Sequence, residues 1–421
     1  MTKKNLFFKI TISFIVLTFF CTSIVLADDV DDSDEDFNIT NELNENNLQE
    51  VSANSVKDLH INSRSYIVLD RKTNKILLGK NENEKRKMAS TTKIMTAILI
   101  IENGNLQDTV TVSKKAAGTG GSRLGLKTND TITVQDLLYG LLLCSGNDAA
   151  VCLAEYLSGS VPEFANLMNQ KALELNLTQT HFVTPHGLDS EEHYTTSYEL
   201  ALLANYALNN NKFKEIVGTK NYTVTINGYT KMLSNTNELL GNLNGVYGVK
   251  TGFTNGANRC LVTACQRNGM DIICVVLGAD TKKFRTQDSI KLIEYTFQNY
   301  EYVNIENRIQ KEFEQWKEKN LNHFSIEKGI SNDIDLHYSP LPYSSLPILK
   351  DKISTLKVNF ECSYHLIAPI EENTCIGKIK LTCENKDLLT CDLLLSHNIE
   401  KKNSFYYLLY FLKNYPLLLK N

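Results

Sequence analysis

Strand-length apolar segments stand at both ends of one stretch of this chain, with a block of helix-patterned sequence between them. That arrangement restricts the fold more than any other feature. Near the start, Tyr66-Ile67-Val68-Leu69 and Ile76-Leu77-Leu78 flank Asp70-Arg71-Lys72-Thr73-Asn74, which reads as a hairpin. A helix is predicted to begin near Ser90 and to bury Ile94, Met95, Ile98 and Leu99. A Gly-rich loop follows at Gly118 to Gly125, then helices over Val134–Leu143, Asp148–Leu157, Pro162–Leu175 and Ser197–Leu208. The pattern then switches to strands at Tyr222–Ile226, Val246–Lys250, Arg259–Cys265 and Asp271–Leu277, and a helix over Lys282–Phe297 closes the unit. The implied fold class is mixed α/β of the α+β kind: an antiparallel sheet faced by helices, with a helical lobe inserted in the middle.

The flanks differ in texture. Lys3, Lys4 and Lys9 precede an apolar run from Ile10 to Ala27, with Val25 two residues before Ala27, the pattern of a secretory signal peptide over 1–27. The run is also long enough for an uncleaved anchor, and either reading exports the rest of the chain. Asp28 to Glu50 hold ten acidic side chains and no Lys or Arg; such a self-repelling run cannot bury a core, so 28–57 is expected to be a disordered spacer. The remaining roughly 370 residues suffice for two or three domains. The expected division is a catalytic domain over 58–300, a charged connector over 301–325 that includes Arg308 to Lys319, and a small β-rich domain over 326–400. A final segment, 401–421, carries an apolar and aromatic run from Phe405 to Leu412 among Lys401, Lys402, Lys413 and Lys420. It is too short and interrupted to span a bilayer, and fits either the membrane interface or packing on the β-rich domain.

Composition removes several function classes. The net charge of -4 argues against a nucleic-acid partner. Nine cysteines remain after the leader with its Cys21, an odd number without paired spacing and therefore a poor disulfide framework. Cys144, Cys152, Cys260, Cys265 and Cys274 lie in apolar stretches and read as small buried hydrophobes. No Cys-x-x-Cys pair or histidine ligand spacing supports a metal site, and no cofactor is expected.

Three short motifs then occur in one order: Ser90-Thr91-Thr92-Lys93, Ser145-Gly146-Asn147 and Lys250-Thr251-Gly252. Each alone has an ordinary explanation, as a helix-surface serine, a helix N-cap or a turn. Ser-x-x-Lys recurs at Ser325 and Ser354, and Ser-x-Asn at Ser52 and Ser396, but only the Ser90 copy is followed by both other motifs. The chemistry they allow is nucleophilic. A serine hydroxyl needs a base beside it, and residues three apart on a helix share a face, so Lys93 stands over Ser90. A lysine serves as base once burial or a second cation lowers its pKa; Lys250 is the candidate second cation. Ser145 can relay a proton, and Asn147 can hold Lys93 or a substrate carbonyl. Lys250 and Thr251 can bind a terminal carboxylate, and Gly252 lets a substrate backbone lie along the strand edge.

The residues around these motifs sharpen the match. Met88 to Thr96, Cys144 to Ala149, Thr184-Pro185-His186-Gly187-Leu188-Asp189 and Gly248 to Thr254 together resemble the low-molecular-weight penicillin-binding proteins that act as serine-type D-alanyl-D-alanine carboxypeptidases. The likeness covers roughly residues 58–400. It implies a β-lactamase/transpeptidase-like domain followed by a β-rich domain and a membrane-binding end, here at the outer face of the cytoplasmic membrane. It also implies an oxyanion hole from the backbone N–H groups of Ser90 and Phe253, and a carboxylate-supporting role for Arg285, which by itself would pass as a capping or surface residue. His186 and Asp189 are expected to be structural. The implied substrate is a peptidoglycan stem peptide ending in D-Ala-D-Ala, with β-lactams as acylating inhibitors. A β-lactamase and a catalytically silent peptidoglycan-binding protein are the alternatives. No Glu-x-x-Leu-Asn stretch lies between Asn147 and Lys250 to supply a β-lactamase's deacylating glutamate.

Overall fold

The computed structural model describes residues 59–414, and outside that span Ile39 alone. The expected signal segment, the acidic spacer and the last seven residues lie outside the described residues. The described chain divides into two units, one ending at Gln298 and one beginning at Asn299.

The first unit is built on a five-stranded antiparallel sheet. Its strands are β1 (Ser65–Asp70), β2 (Ile76–Lys80), β7 (Val246–Thr254), β8 (Asn258–Arg267) and β9 (Met270–Ala279), in the order β2-β1-β9-β8-β7. Central β9 is almost wholly buried, which is why Ile272 to Leu277 read as a continuous apolar run rather than an alternating one. Between β2 and β7 lie the short strands β3 (Thr109–Thr111) and β4 (Thr131–Thr133) and the helices. These are α1 (Lys93–Asn103), α2 (Lys114–Ala117), α3 (Val134–Leu142), α4 (Asn147–Ser158), α5 (Val161–Glu174), α6 (Ser197–Leu208) and α7 (Asn211–Val217). Helix α8 (Lys282–Asn299) follows β9.

Local sequence sets the helix ends. Thr133, Ser160 and Thr196 each accept a hydrogen bond from the backbone N–H three residues on, and in α5 and α6 that third residue is Glu163 or Glu199. Gly159, in the left-handed region at φ +73°, ends α4. Helix α1 is buried from Lys93 to Ile100, the all-round burial of a core helix rather than a surface one.

Two details depart from expectation. The turn carrying Ser90 is a short 3-10 helix over Ala89–Thr92, and the α-helix begins only at Lys93. The strand at Asn221–Ile226 (β5) has a partner, β6 (Tyr229–Ser234), that was not foreseen. Its polar, exposed side chains carry no apolar alternation. The signal was instead Asn227-Gly228, whose φ values of +50° and +81° suit a two-residue hairpin turn.

The second unit has its own core. Strands β10 (Tyr300–Asn304), β11 (Ser325–Glu327), β12 (Leu336–Tyr338), β13 (Ser345–Leu349), β14 (Lys357–Cys362), β15 (His365–Ile367), β16 (Cys375–Cys383) and β17 (Lys386–Leu395) include a four-stranded sheet in the order β12-β17-β16-β14. The stretch expected to be a charged connector forms helix α9 (Ile305–Asn320), and it packs into this unit. Ile305, Ile309 and Phe313, four residues apart, form a buried stripe, while the charges occupy the other faces. Helix α10 (Ser404–Asn414) buries no residue and exposes Phe405, Tyr407, Leu408, Leu409, Tyr410 and Phe411. Among the described residues no helix is long and apolar enough to cross a membrane.

The sheet core gives a direct test. Ile273→Ala on β9, where the side chain is fully buried, is expected to lower the unfolding free energy by about 2–5 kcal/mol. Leu173→Ala, at a position 69% exposed, is expected to change it by no more than about 0.5 kcal/mol. Urea unfolding of both variants checks the contrast, and equal effects would contradict this placement of the core.

Candidate active site

The 3-10 turn before α1 decides where the first two motif residues meet. With three residues per turn, positions i and i+3 eclipse each other, and Lys93 Nζ lies 2.6 Å from Ser90 Oγ. Lys93 is fully buried and Ser90 is 4% exposed. The same Nζ lies 2.7 Å from Asn147 Oδ1 and 2.9 Å from the His186 carbonyl oxygen. These last two atoms can only accept hydrogen bonds. Asn147 Nδ2 donates to the Gly120 carbonyl at 2.8 Å, which fixes the amide with its oxygen toward Lys93. Of these three partners, Ser90 Oγ is therefore the one that can also donate, so a proton can pass along that edge without disturbing the other two.

Asn147 is placed by the start of α4. Its backbone N–H donates to the Ser122 carbonyl, and the neighbouring Asp148 carboxylate accepts from the N–H groups of Leu124, Gly125 and Leu126. Asp148 is fully buried, and these backbone donors satisfy it. The Gly-rich loop is thus folded onto the second motif. Ser145, just before the helix, is 6% exposed and held in the left-handed region at φ +60°, an uncommon conformation for a non-glycine residue.

The stretch Thr184 to Asp189 joins the first motif to the third. The Pro185 carbonyl accepts from Thr96 Oγ1 at 2.6 Å, and the His186 carbonyl faces Lys93. Asp189 accepts from Thr254 Oγ1 at 2.7 Å and from the Gly256 N–H at 2.8 Å, at the far end of β7. Gly187 is required between them. At φ +91°, a Cβ there would stand 2.0 Å from the Ala89 carbonyl oxygen. His186 presents its backbone carbonyl, rather than its ring, to Lys93. Burial, with the Lys93 charge adding to it, pulls the His186 imidazole down to about 3.

A histidine that sequence reasoning did not single out completes the support. His193 Nδ1 accepts from the Val183 N–H at 2.9 Å, so its other nitrogen carries the hydrogen and donates to Thr92 Oγ1 at 2.7 Å. Thr92 Oγ1 in turn donates to the Ala89 carbonyl at 2.8 Å. This chain pins the turn before Ser90, where Ala89 is held at φ +47°. Burial pulls the His193 imidazole down to about 4.

The third motif lies on the edge strand β7 of the sheet. Lys250 is 1% exposed, with Nζ 3.0 Å from the Thr251 carbonyl. Burial raises the Cys144 thiol, the Asp148 charge adds to that rise, and the charges of Lys231 and Lys250 oppose it. Thr251 Oγ1 and Thr236 Oγ1 are 2.7 Å apart. A Cβ on Gly252 would lie 3.1 Å from the Ser90 amide nitrogen, so the glycine lets β7 run against the Ser90 N–H, with Phe253 next along the strand. Arg285, in the first turn of α8, is 4% exposed and donates from Nη2 to Glu238 Oε2 at 2.6 Å. It is therefore neither a helix cap nor a surface residue. Among the described residues no cluster of ligating side chains could hold a metal ion. Ser325 and Ser354 stand on the second unit, away in sequence from the other two motifs.

Comparison with known proteins identifies the family to which these motifs belong. The D-alanyl-D-alanine carboxypeptidase family profile matches residues 51–281. The profile of the C-terminal domain of penicillin-binding protein 5 matches residues 317–401. The chain is 34% identical to the D-alanyl-D-alanine carboxypeptidase DacF of Bacillus subtilis, over 80% of this chain and 86% of that one. It is 32% identical to DacD of Escherichia coli, over 82% of this chain and 89% of that one. Among solved structures, penicillin-binding protein 5 from Haemophilus influenzae superposes with a TM-score of 0.64 at 29% identity, covering 81% of this chain and 98% of its own.

The two buried imidazoles predict a pH response. Their folded values of about 3 and about 4 lie below the ordinary 6.5, so the unfolded chain binds protons first as pH falls. Their contribution to stability is complete above 6.5 and drains as pH falls toward about 4 and then about 3. Urea midpoints are expected to drop steadily from about pH 7 to about pH 5. A flat response over that range would contradict neutral burial of His186 and His193.

Proposed function

The chain belongs to the D-alanyl-D-alanine carboxypeptidase family, and from that premise we propose that Ser90 is its acylating nucleophile and Lys93 the base. The protein is a serine-type carboxypeptidase of the penicillin-binding class, acting in the cell wall on peptidoglycan peptides that end in D-Ala-D-Ala. The observation that carries the residue assignment is the placement of Lys93 Nζ between Ser90 Oγ and two oxygens that can only accept.

The reaction follows from the site. The terminal carboxylate docks on Lys250 and Thr251 at the strand edge, with Arg285 in support, and the substrate backbone lies along β7 where Gly252 leaves room. Ser90 Oγ gives its proton to Lys93 and attacks the penultimate carbonyl carbon, forming a tetrahedral oxyanion that the N–H groups of Ser90 and Phe253 stabilise. The C–N bond then breaks. The leaving D-alanine takes a proton relayed through Ser145, leaving an acyl ester on Ser90. Water, deprotonated by the same base, hydrolyses that ester and shortens the stem by one residue. A β-lactam enters the first half of this sequence because its carboxylate and strained amide imitate the same terminus. The oriented amide of Asn147 supports the role of keeping Lys93 aimed at Ser90.

The protein acts outside the cytoplasm, where such peptidoglycan peptides are found. Helix α10, with its exposed aromatic and aliphatic side chains between Lys401, Lys402 and Lys413, supports attachment to the outer face of the cytoplasmic membrane.

Intact-mass spectrometry after benzylpenicillin tests the assignment. The wild type is expected to carry one adduct on Ser90, and Ser90→Ala to carry none and to lose D-alanine release by at least about a thousandfold. Ser325→Ala and Ser354→Ala should acylate normally. An adduct persisting in Ser90→Ala would overturn the assignment.

A further inference from the structure

The segment Asn235 to Glu238 touches two of the residues at the carboxylate end of the site, Thr251 and Arg285. Asn235 Nδ2 donates to the carbonyls of Val217 and Thr219 at 3.2 and 3.0 Å, which anchors the segment after α7. The Thr236 N–H donates to the Leu143 carbonyl at 3.1 Å, two residues before Ser145. Thr236 Oγ1 meets Thr251 Oγ1, the hydroxyl of the third motif. Glu238 then reaches α8, where Oε2 accepts from Arg285 Nη2 at 2.6 Å and Oε1 lies 2.9 Å from Lys282 Nζ.

This ion pair is unlike the surface pairs of the molecule. The Arg285 side chain is only 5% exposed and that of Glu238 only 21%, so the contact is little screened and its geometry is fixed by packing. Burial pushes the Glu238 carboxyl up, but the Arg285 and Lys282 charges more than offset this, and it lies below the ordinary carboxylate range. Arg285 Nε is buried and has no hydrogen-bond partner, and the same holds for Asn237 Nδ2 beside Glu238. A buried donor without a partner is costly. The guanidinium thus retains donor capacity after Glu238 has taken Nη2.

We propose that Glu238 is a positioning residue for the carboxylate end of the reaction: it grips Arg285 and sets the orientation in which that guanidinium meets the substrate's terminal carboxylate. The proposal rests on the docking of that carboxylate described above and adds a residue to it. Glu238 touches no reacting atom; it acts through Arg285, while Thr236, two residues earlier in the same segment, meets the Thr251 hydroxyl. One short loop therefore aligns two of the carboxylate's partners together.

The test is steady-state release of the terminal residue, as D-alanine from a peptide ending in D-Ala-D-Ala and as D-alaninamide from the same peptide with an amidated C-terminus. Glu238→Ala is expected to raise KM for the free-carboxylate peptide about tenfold while kcat stays within about twofold, because the lost interaction is one of binding. In an Arg285→Ala background the same change should add nothing further, as expected of residues acting as a unit. Glu238→Gln keeps an acceptor oxygen and is expected to restore KM to within about threefold of wild type. Thermal melting followed by circular dichroism confirms folding, and Glu238→Met, which keeps the volume but has no carboxylate to accept from Arg285, carries the test with the same expected KM rise should the alanine variant unfold. An unchanged KM, a loss confined to kcat, or an equal KM rise without Arg285 would overturn the proposal. A wild type that cleaved both peptides equally well would instead overturn the docking on which it rests.

Discussion

Everything in the first unit converges on one buried amine. Lys93 Nζ is held by three oxygens contributed by three separate pieces of chain: Ser90 from its own turn, Asn147 from the start of α4, and His186 from the loop that leads back to β7. Removing a lysine from water is expensive, and it is tolerated where its donors find acceptors. Those three acceptors are uncharged, and of them the Ser90 hydroxyl is the one that can also donate.

The supports of that contact are largely backbone. Asp148 gathers three successive N–H groups of the Gly-rich loop, and this brings Gly120 and Ser122 against Asn147. The chain from Val183 through His193 and Thr92 to Ala89 holds a turn that the backbone would not adopt unaided. Left-handed conformations at Ala89 and Ser145, each costing of the order of 1–3 kcal/mol, persist because their surroundings determine them. The strain sits at Ser145 and at Ala89, the residue before Ser90, and the core of β9 and α1 supplies the rigidity that sustains it.

Much of this was legible in the sequence, and the limits have physical reasons. Ser90 and Lys93 are three residues apart, so local geometry brings them within reach, whereas Asn147, 54 positions from Lys93, was marked by its motif alone. The sheet followed from apolar runs at strand length, because a buried antiparallel strand needs little else. The His186 contribution was hidden because it is a carbonyl, and every residue type has one. Glu238 was hidden because its partner lies 47 positions further on, at Arg285, and only the closed sheet brings them together. His193 had no neighbour to mark it. The charge of α9 concealed a stripe of Ile305, Ile309 and Phe313 whose spacing of four was readable, but composition outweighed it. In β5 and β6 the Asn-Gly turn was the signal, and the polar surface of β6 obscured it.

The central claim is that Lys93 takes the proton of Ser90. Its most direct measurement is the rate at which benzylpenicillin acylates Lys93→Met, followed by quenched-flow mass spectrometry with Ser90 intact and the fold confirmed by its melting curve. Loss of a positioned general base predicts a fall of about a hundredfold to ten-thousandfold relative to wild type. Acylation within about threefold of the wild-type rate, well inside what a base contributes, would contradict the account.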